Sequence, residues 1–352
     1  MRFVVWALLL GLVFLRILAS IPKYKEGQKI RISQKVTSEP VRYSYYQSLN
    51  LSGLRVYLPK YPEVLYGDEV LVEGTIEDGK LSDAVLLELR QGTGPLFLLR
   101  KKLVNFYESS LPQPFSGLVS GVTLGSKSGL SADFWERLKL TGTAHVVVAS
   151  GMNVTLVAGF LVGVTCLFLP RRSAIPLAIA GVWGYSLLSG FDAPIIRAAV
   201  MGSVTFLAQA AGRLVSAWKA LIFSALVMLL FWPSWVFDLG FILSFVATAC
   251  LLLFEPRVKR FFRFLPEVIK EGFSTSLAAQ IGVAPIIFVT FGQFNILSPA
   301  VNALVLWTVA PITIIAGVSG IVALIIPTLG RLTIYLVYPL AFWFVKVIEA
   351  FS

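Results

Sequence analysis

Charge is scarce in this chain. Only 14% of its 352 residues are charged and 57% are hydrophobic, where a soluble domain has about 25% and about 45–50%. That balance, with its long apolar runs, excludes a purely soluble enzyme and marks an integral membrane protein. Histidine is scarcer still. His145 is the single one, so no multi-histidine metal site can be assembled from these residues. The two cysteines, Cys166 and Cys250, both sit inside apolar runs and read as packing residues rather than a disulfide or redox pair. No metal or cofactor is expected, and no catalytic residue is assigned.

What charge there is leans positive, with 30 Lys and Arg against 19 Asp and Glu. In a soluble protein that excess points to nucleic acid; in a membrane protein it also follows from basic cytoplasmic loops. Its position along the chain decides between them. Residues 1–20 form an apolar run behind Arg2, interrupted by Arg16, and read as a retained membrane anchor rather than a cleaved leader. Residues 21–92 are different: valine, isoleucine and tyrosine alternate with polar residues. KIRISQKV, LRVYLP, DEVLVEGTI and AVLLELR each suit a half-buried strand, with an Asp-Gly turn before the last. Four or five short strands in this length favour a small OB-like β-barrel.

That domain is polarised rather than basic: residues 21–60 hold eight Lys and Arg against two acids, and residues 61–90 reverse the ratio. Tyr43, Tyr45, Tyr46, Tyr57 and Tyr61 accompany Lys35, Arg42, Arg55 and Lys60. Flat rings beside cations are what single-strand binding needs, rings for base stacking and cations for phosphate. The same tyrosines would equally fill a β core or rest among lipid headgroups. Residues 93–140 read as amphipathic helices along the membrane surface. Residues 141–352 form the transmembrane part, with spans expected near 143–169, 174–190, 193–212, 217–233, 235–254, 274–292, 296–326 and 332–351. Ten Lys and Arg fall in the loops of one parity, from Arg171 to Arg331, and none in the loops near 190–194, 231–236 and 292–297. The basic loops are therefore expected in the cytoplasm, with the β domain and C-terminus outside if 296–326 crosses once.

Within the spans, His145, Ser150, Asn153, Asp192, Arg197, Asp238 and Asn302 are candidate pathway or packing residues, because polar groups at membrane depth face a bundle interior or a wet cavity. On one helix His145 and Ser150 would lie about 140° apart, which rules out a base–nucleophile pair, while His145 and Asn153 would lie about 80° apart and about 12 Å along, as two contacts in one groove. Arg197 is expected to pair with Asp192 or Asp238. Pro285, Pro311 and Pro339 are expected to break the last spans around a cavity near the midplane. GVTLGSKS, at 121–128, misses the phosphate-loop pattern at Ser126 and follows no strand, so it is not read as a nucleotide site.

LVSGVTLGSKSGLS, TGTAHVVVASGMNV, Arg197-Ala198, DLGFILSF and FGQFNILSPAVNALVL occur in this order. The series resembles the ComEC-type competence family of bacterial DNA-uptake channels, across about residues 30–350. The core motif's second histidine is Asn153 here, and the glutamine of its DvGFqLSF element is Ile242. The family's usual C-terminal metallo-β-lactamase-like domain has no counterpart in these residues, so the resemblance is to a short form. It implies passage of single-stranded DNA through the inner membrane, with a cytoplasmic motor, a separate nuclease, a DNA receptor and a homo-oligomer as possible partners. Two other readings stay open: a transporter of another anionic or lipid-linked substrate, and a non-transporting assembly platform whose OB-like domain grips a protein.

Overall fold

A computed structural model describes residues 2–20, 26–43, 45–77, 79–148, 150–292 and 295–352. The chain opens with helix α1, Arg2–Ser20, and continues into six strands: β1 Lys29–Lys35, β2 Val41–Arg42, β3 Tyr46–Leu51, β4 Leu54–Pro59, β5 Glu69–Glu77 and β6 Lys80–Arg90. They form one sheet in the order β1-β5-β6-β4-β3-β2, antiparallel except between β4 and β6. The inward side chains, Ile32, Leu49, Leu51, Val56, Leu58, Val70 and Val72 among them, form a core separate from that of the helices. Burial at every second position is the strand period at work. Gly79, at φ +67°, makes the β5–β6 turn; Asp78 lies outside the described residues.

Alternation marks β1, β4, β5 and β6 in the sequence but not β3, and the reason is Gln47. It points inward with 1% exposure, where the pattern calls for an apolar residue. Its amide is fully used: Nε2 donates to the carbonyls of Pro59 (2.9 Å) and Pro62 (2.8 Å), and Oε1 accepts from the Val64 N–H (3.1 Å).

The helices are α2 Pro95–Ser110, α3 Phe115–Leu124, α4 Ala132–Leu140, α5 Ala144–Val147, α6 Gly151–Phe168, α7 Arg171–Leu188 and α8 Ala193–Ala210, then α9 Ala217–Phe231, α10 Leu239–Phe261, α11 Glu267–Phe291, α12 Ser298–Ile325, α13 Pro327–Ile334 and α14 Tyr338–Phe351. Among the described residues six helical stretches are long and apolar enough to cross a membrane: Ala144–Phe168, Ala193–Ala210, Leu239–Phe261, Ile269–Thr290, Ser298–Ile325 and Pro327–Phe351. This is a multi-pass membrane protein with a separate N-terminal β domain. The apolar helix α9, with 15 residues, spans about 22 Å, short of a hydrocarbon core of about 30 Å.

Three sequence expectations need correction. Helix α3 is not an amphipathic surface helix: Ser116 to Leu124 are all buried, at the centre of the largest core, against α2, α12 and α14. Its glycines explain how. A methyl on Gly121 would sit 2.5 Å from the Val147 carbonyl oxygen, and one on Gly117 would overlap the Gly129 carbonyl, so only glycine lets those segments close on the helix. Second, Pro285 and Pro311 do not break their spans; α11 and α12 run through them. Of these prolines, Pro339 alone follows an interruption, the short 3-10 turn Tyr335–Val337. A groove of about 460 Å³ does lie beside Pro285 and Pro299, but Gln280 is the one polar side chain in its lining. Third, the continuous helix expected from 143 is interrupted: Val148 and Ser150 are extended, between α5 and α6. Since α12 is one continuous helix, residues 298–325 cross at most once.

Candidate functional site

The β domain is fastened to the helices by Glu39, in the loop between β1 and β2, and Arg100 of α2. Glu39 Oε2 and Arg100 Nη2 are 2.7 Å apart, with side chains 7% and 6% exposed. Arg100 Nη1 donates to the carbonyls of Leu124 (2.6 Å) and Leu188, the C-terminal ends of α3 and α7. The other Glu39 oxygen accepts from Ser126 Oγ (3.1 Å) and the Lys127 N–H (3.3 Å). The GVTLGSKS loop thus holds an anion of this chain, a carboxylate. Tyr66 adds a second tie, its hydroxyl donating to the Leu187 carbonyl at 3.1 Å, with the Arg100 guanidinium 5.0 Å from its ring centroid. Burial pushes the Tyr66 hydroxyl up to about 12, so it stays a donor across the physiological range. The β domain therefore sits at the end of the bundle where α7 ends and α8 begins.

At that same end, α6 begins with Gly151, α8 with Ala193 and α10 with Leu239. Arg197 lies among these three helices. Its Nε donates to Ser244 Oγ of α10 at 2.6 Å and Nη1 is 3.8 Å from Met201 Sδ. A methyl on Gly151 would come within 2.9 Å of Nη2. The expected pairing with Asp192 or Asp238 is absent: no carboxylate is within ion-pair reach of Arg197 among the described residues. Asp238 instead caps α10, its Oδ1 accepting from the Phe241 N–H at 2.8 Å, which satisfies one orphan donor of the helix end. Asp192 precedes α8 without a side-chain cap bond.

The remaining membrane candidates are dispersed by the interruption before α6. His145 and Asn153 do not share one helix, so the angles that would place them in one groove do not apply. His145 has an exposed side chain, with Nδ1 3.0 Å from the Gly142 carbonyl. Asn153 is fully buried and donates to the Val122 carbonyl of α3 at 2.7 Å. Ser150 occupies the N-cap position of α6 without making a cap bond. Asn302, on α12, donates to Ser276 (2.7 Å) and Ser298 (3.2 Å). Asn153 Oδ1 and Asn302 Oδ1 are buried with no partner among the described residues.

On the β domain, Tyr46, Arg55 and Tyr57 share the outward face of β3 and β4, opposite the core. The rings of Tyr43 and Tyr46 stack at 4.5 Å, and Tyr57 meets Tyr46 edge-on at 5.6 Å. Burial and the neighbouring Tyr46 push the Tyr43 hydroxyl up, while Lys139 of α4 and Arg55 lie near enough to offset part of that rise. Tyr45 is 88% exposed. Lys60 Nζ lies 5.8 Å from the Tyr61 ring centroid. Arg42 is committed elsewhere, to Glu63 at 3.1 Å. Glu73 similarly holds Lys29 and Arg31, which is where the cancelled charge of the domain goes. Arg55 and Lys60 have no carboxylate partner among the described residues. Glu39 and Arg100 were not legible as site residues, since nothing in local spacing ties residues 61 positions apart.

The family model described as Competence protein matches residues 122–352. Over 207 residues the chain is 30% identical to ComE operon protein 3 of Bacillus subtilis, covering 58% of this chain and 26% of that protein. Competence protein ComA of Neisseria gonorrhoeae is 29% identical over 215 residues, 57% of this chain and 30% of the relative. An uncharacterized protein of Aquifex aeolicus is 30% identical over 207 residues, 57% and 45%. The chain thus matches between about a quarter and a half of the length of these relatives. No solved structure matches.

Proposed function

The chain belongs to the competence protein family, and from that membership we propose that it passes single-stranded DNA through the bacterial inner membrane during DNA uptake. The observation that carries this reading is the tyrosine face: Tyr46 in ring contact with both Tyr43 and Tyr57, beside the uncommitted Arg55 and Lys60. Stacked rings with free cations suit a strand whose bases are unpaired. The domain that bears them is tied by Glu39 and Arg100 to the end of the bundle where α6, α8 and α10 begin. A strand held on the tyrosines is thereby delivered to the helix ends rather than to open water.

In this reading the β domain is OB-like and extracytoplasmic, and the basic loops from Arg171 to Arg331 face the cytoplasm. A separate motor draws the strand, and a separate receptor and nuclease supply it. The chain itself acts as a conduit and does no hydrolysis. Purified full chain in nanodiscs should bind a fluorescent dT oligonucleotide, and the Tyr46→Ala plus Tyr57→Ala variant should weaken it by at least about fivefold, the loss of one stacked base at ~1–3 kcal/mol. Unchanged binding by that variant, with the domain still folded, would make the face structural.

A further inference from the structure

We infer that Arg197 is a phosphate-binding group inside the helical body, its ligand a backbone phosphodiester of the strand; this rests on the reading just proposed. A guanidinium carries five N–H donors, and here one meets an oxygen, Ser244 Oγ, while Nη1 reaches only a thioether. Among membrane helices a cation is ordinarily matched by a carboxylate or by backbone carbonyls. Asp238 is in the same region but turns its Oδ1 to the Phe241 N–H, and no carboxylate among the described residues is within ion-pair reach of the guanidinium. The positive charge is left without a counter-charge among the described residues.

The second observation is what Nη2 faces. It lies against Gly151, the first residue of α6. The chain before that residue is not helical, so α6 is the second half of an interrupted segment. Ser150 makes no side-chain cap, and the Gly151 and Met152 N–H groups have no acceptor among the described residues. A half-helix N-terminus inside a membrane protein points its free N–H groups and positive dipole end at an anionic substrate. Here that end and the guanidinium converge from two helices on one place. Gly151 permits this closeness, since any side chain there would displace Nη2. A phosphodiester suits both partners, offering one oxygen to the guanidinium and another to the N–H groups.

The test uses the full chain in nanodiscs of zwitterionic lipid and reads the salt dependence of dT oligonucleotide binding. Each neutralised phosphate contact contributes about 0.7 to the log–log slope for a single strand. Arg197→Gln should lower the slope by about that amount, and Arg197→Lys should keep it. Gly151→Ala, which leaves the charge but pushes the guanidinium aside, should lower it as well. Gly159→Ala, where a methyl meets nothing within 4 Å, should leave the slope unchanged. An unaltered slope in both Arg197→Gln and Gly151→Ala, or in Gly151→Ala alone if Arg197→Gln does not fold, overturns the inference while the function reading stands. Loss of the Arg197-dependent difference when phosphatidylglycerol is added would identify a lipid phosphate as the ligand and also overturn it. Absence of any oligonucleotide binding by the unsubstituted chain would remove the function reading itself, and the inference with it.

Discussion

Glu39 and Arg100 form a buried ion pair, 2.7 Å between Oε2 and Nη2, that joins a loop of the β domain to a helix of the membrane part. Each partner is also bonded to the loop after α3 or to the carbonyl ends of α3 and α7. The pair satisfies several polar groups that would otherwise be buried alone. Removing one partner should therefore cost more than the pair itself contributes, about 3–5 kcal/mol. Glu39→Ala and Arg100→Met should each loosen the β domain, read as faster protease cleavage within 91–95 and a lower melting temperature. The double variant should lose less than the sum. Equal cleavage in all forms would show the pair to be energetically idle.

Gly121 and Gly159 make an internal control on the packing of α3 and α6. A methyl at 121 meets the Val147 carbonyl oxygen at 2.5 Å, while one at 159 meets nothing within 4 Å. Gly121→Ala should sharply reduce the amount of folded protein in the membrane. Gly159→Ala should be neutral, or stabilising by up to about 1 kcal/mol through helix propensity. Fluorescence-detected size exclusion of the two variants side by side distinguishes them.

Gln47→Leu should destabilise the β domain even though it restores the apolar alternation of β3. The Pro59 and Pro62 carbonyls and the Val64 N–H would each lose the partner they have in Gln47. At ~1 kcal/mol for each lost bond, the expected cost is about 2–3 kcal/mol, measured as weaker amide protection in β3 and β4 by hydrogen exchange. Unchanged protection would mean water replaces the amide without penalty.

Reporter fusions after Gly92 and after Ser352 should report from the same side of the membrane. Between the α11–α12 loop and the C-terminus lie two passes, α12 and the stretch Pro327–Phe351, an even number that returns the C-terminus to the side of that loop. The basic loops set which side is the cytoplasm. Opposite signals from the two fusions would mean that α7 or α9 does not cross, both being marginal in length or charge.

Much of the helical layout was legible because membrane spans are written locally. A helix in lipid must satisfy its own backbone and cover it with apolar side chains, so residues 193–210 or 298–325 announce themselves without any partner. The candidate residues were legible only as residue types. Arg197 is conspicuous in an apolar run, but its bond to Ser244, 47 positions on, is not contained in any spacing. Local rules also misplaced the interruptions. Proline at 285 and 311 is accommodated within continuous helices, while the segment that does break, before Gly151, contains no proline at all.

By itself, then, the sequence determined that this protein lives in a membrane, carries a β-rich domain before its helices and sorts its cations by loop parity. Each of these follows from composition or from a period of two or of twenty residues, properties that survive without knowledge of any distant neighbour. Tertiary structure alone decided which charges are spent and which remain free. Glu39 neutralises Arg100, Glu63 neutralises Arg42, and Arg197 is left without a carboxylate. Ion pairing falls steeply with distance and with solvent, so it depends on angstroms between residues that the chain order separates by tens of positions.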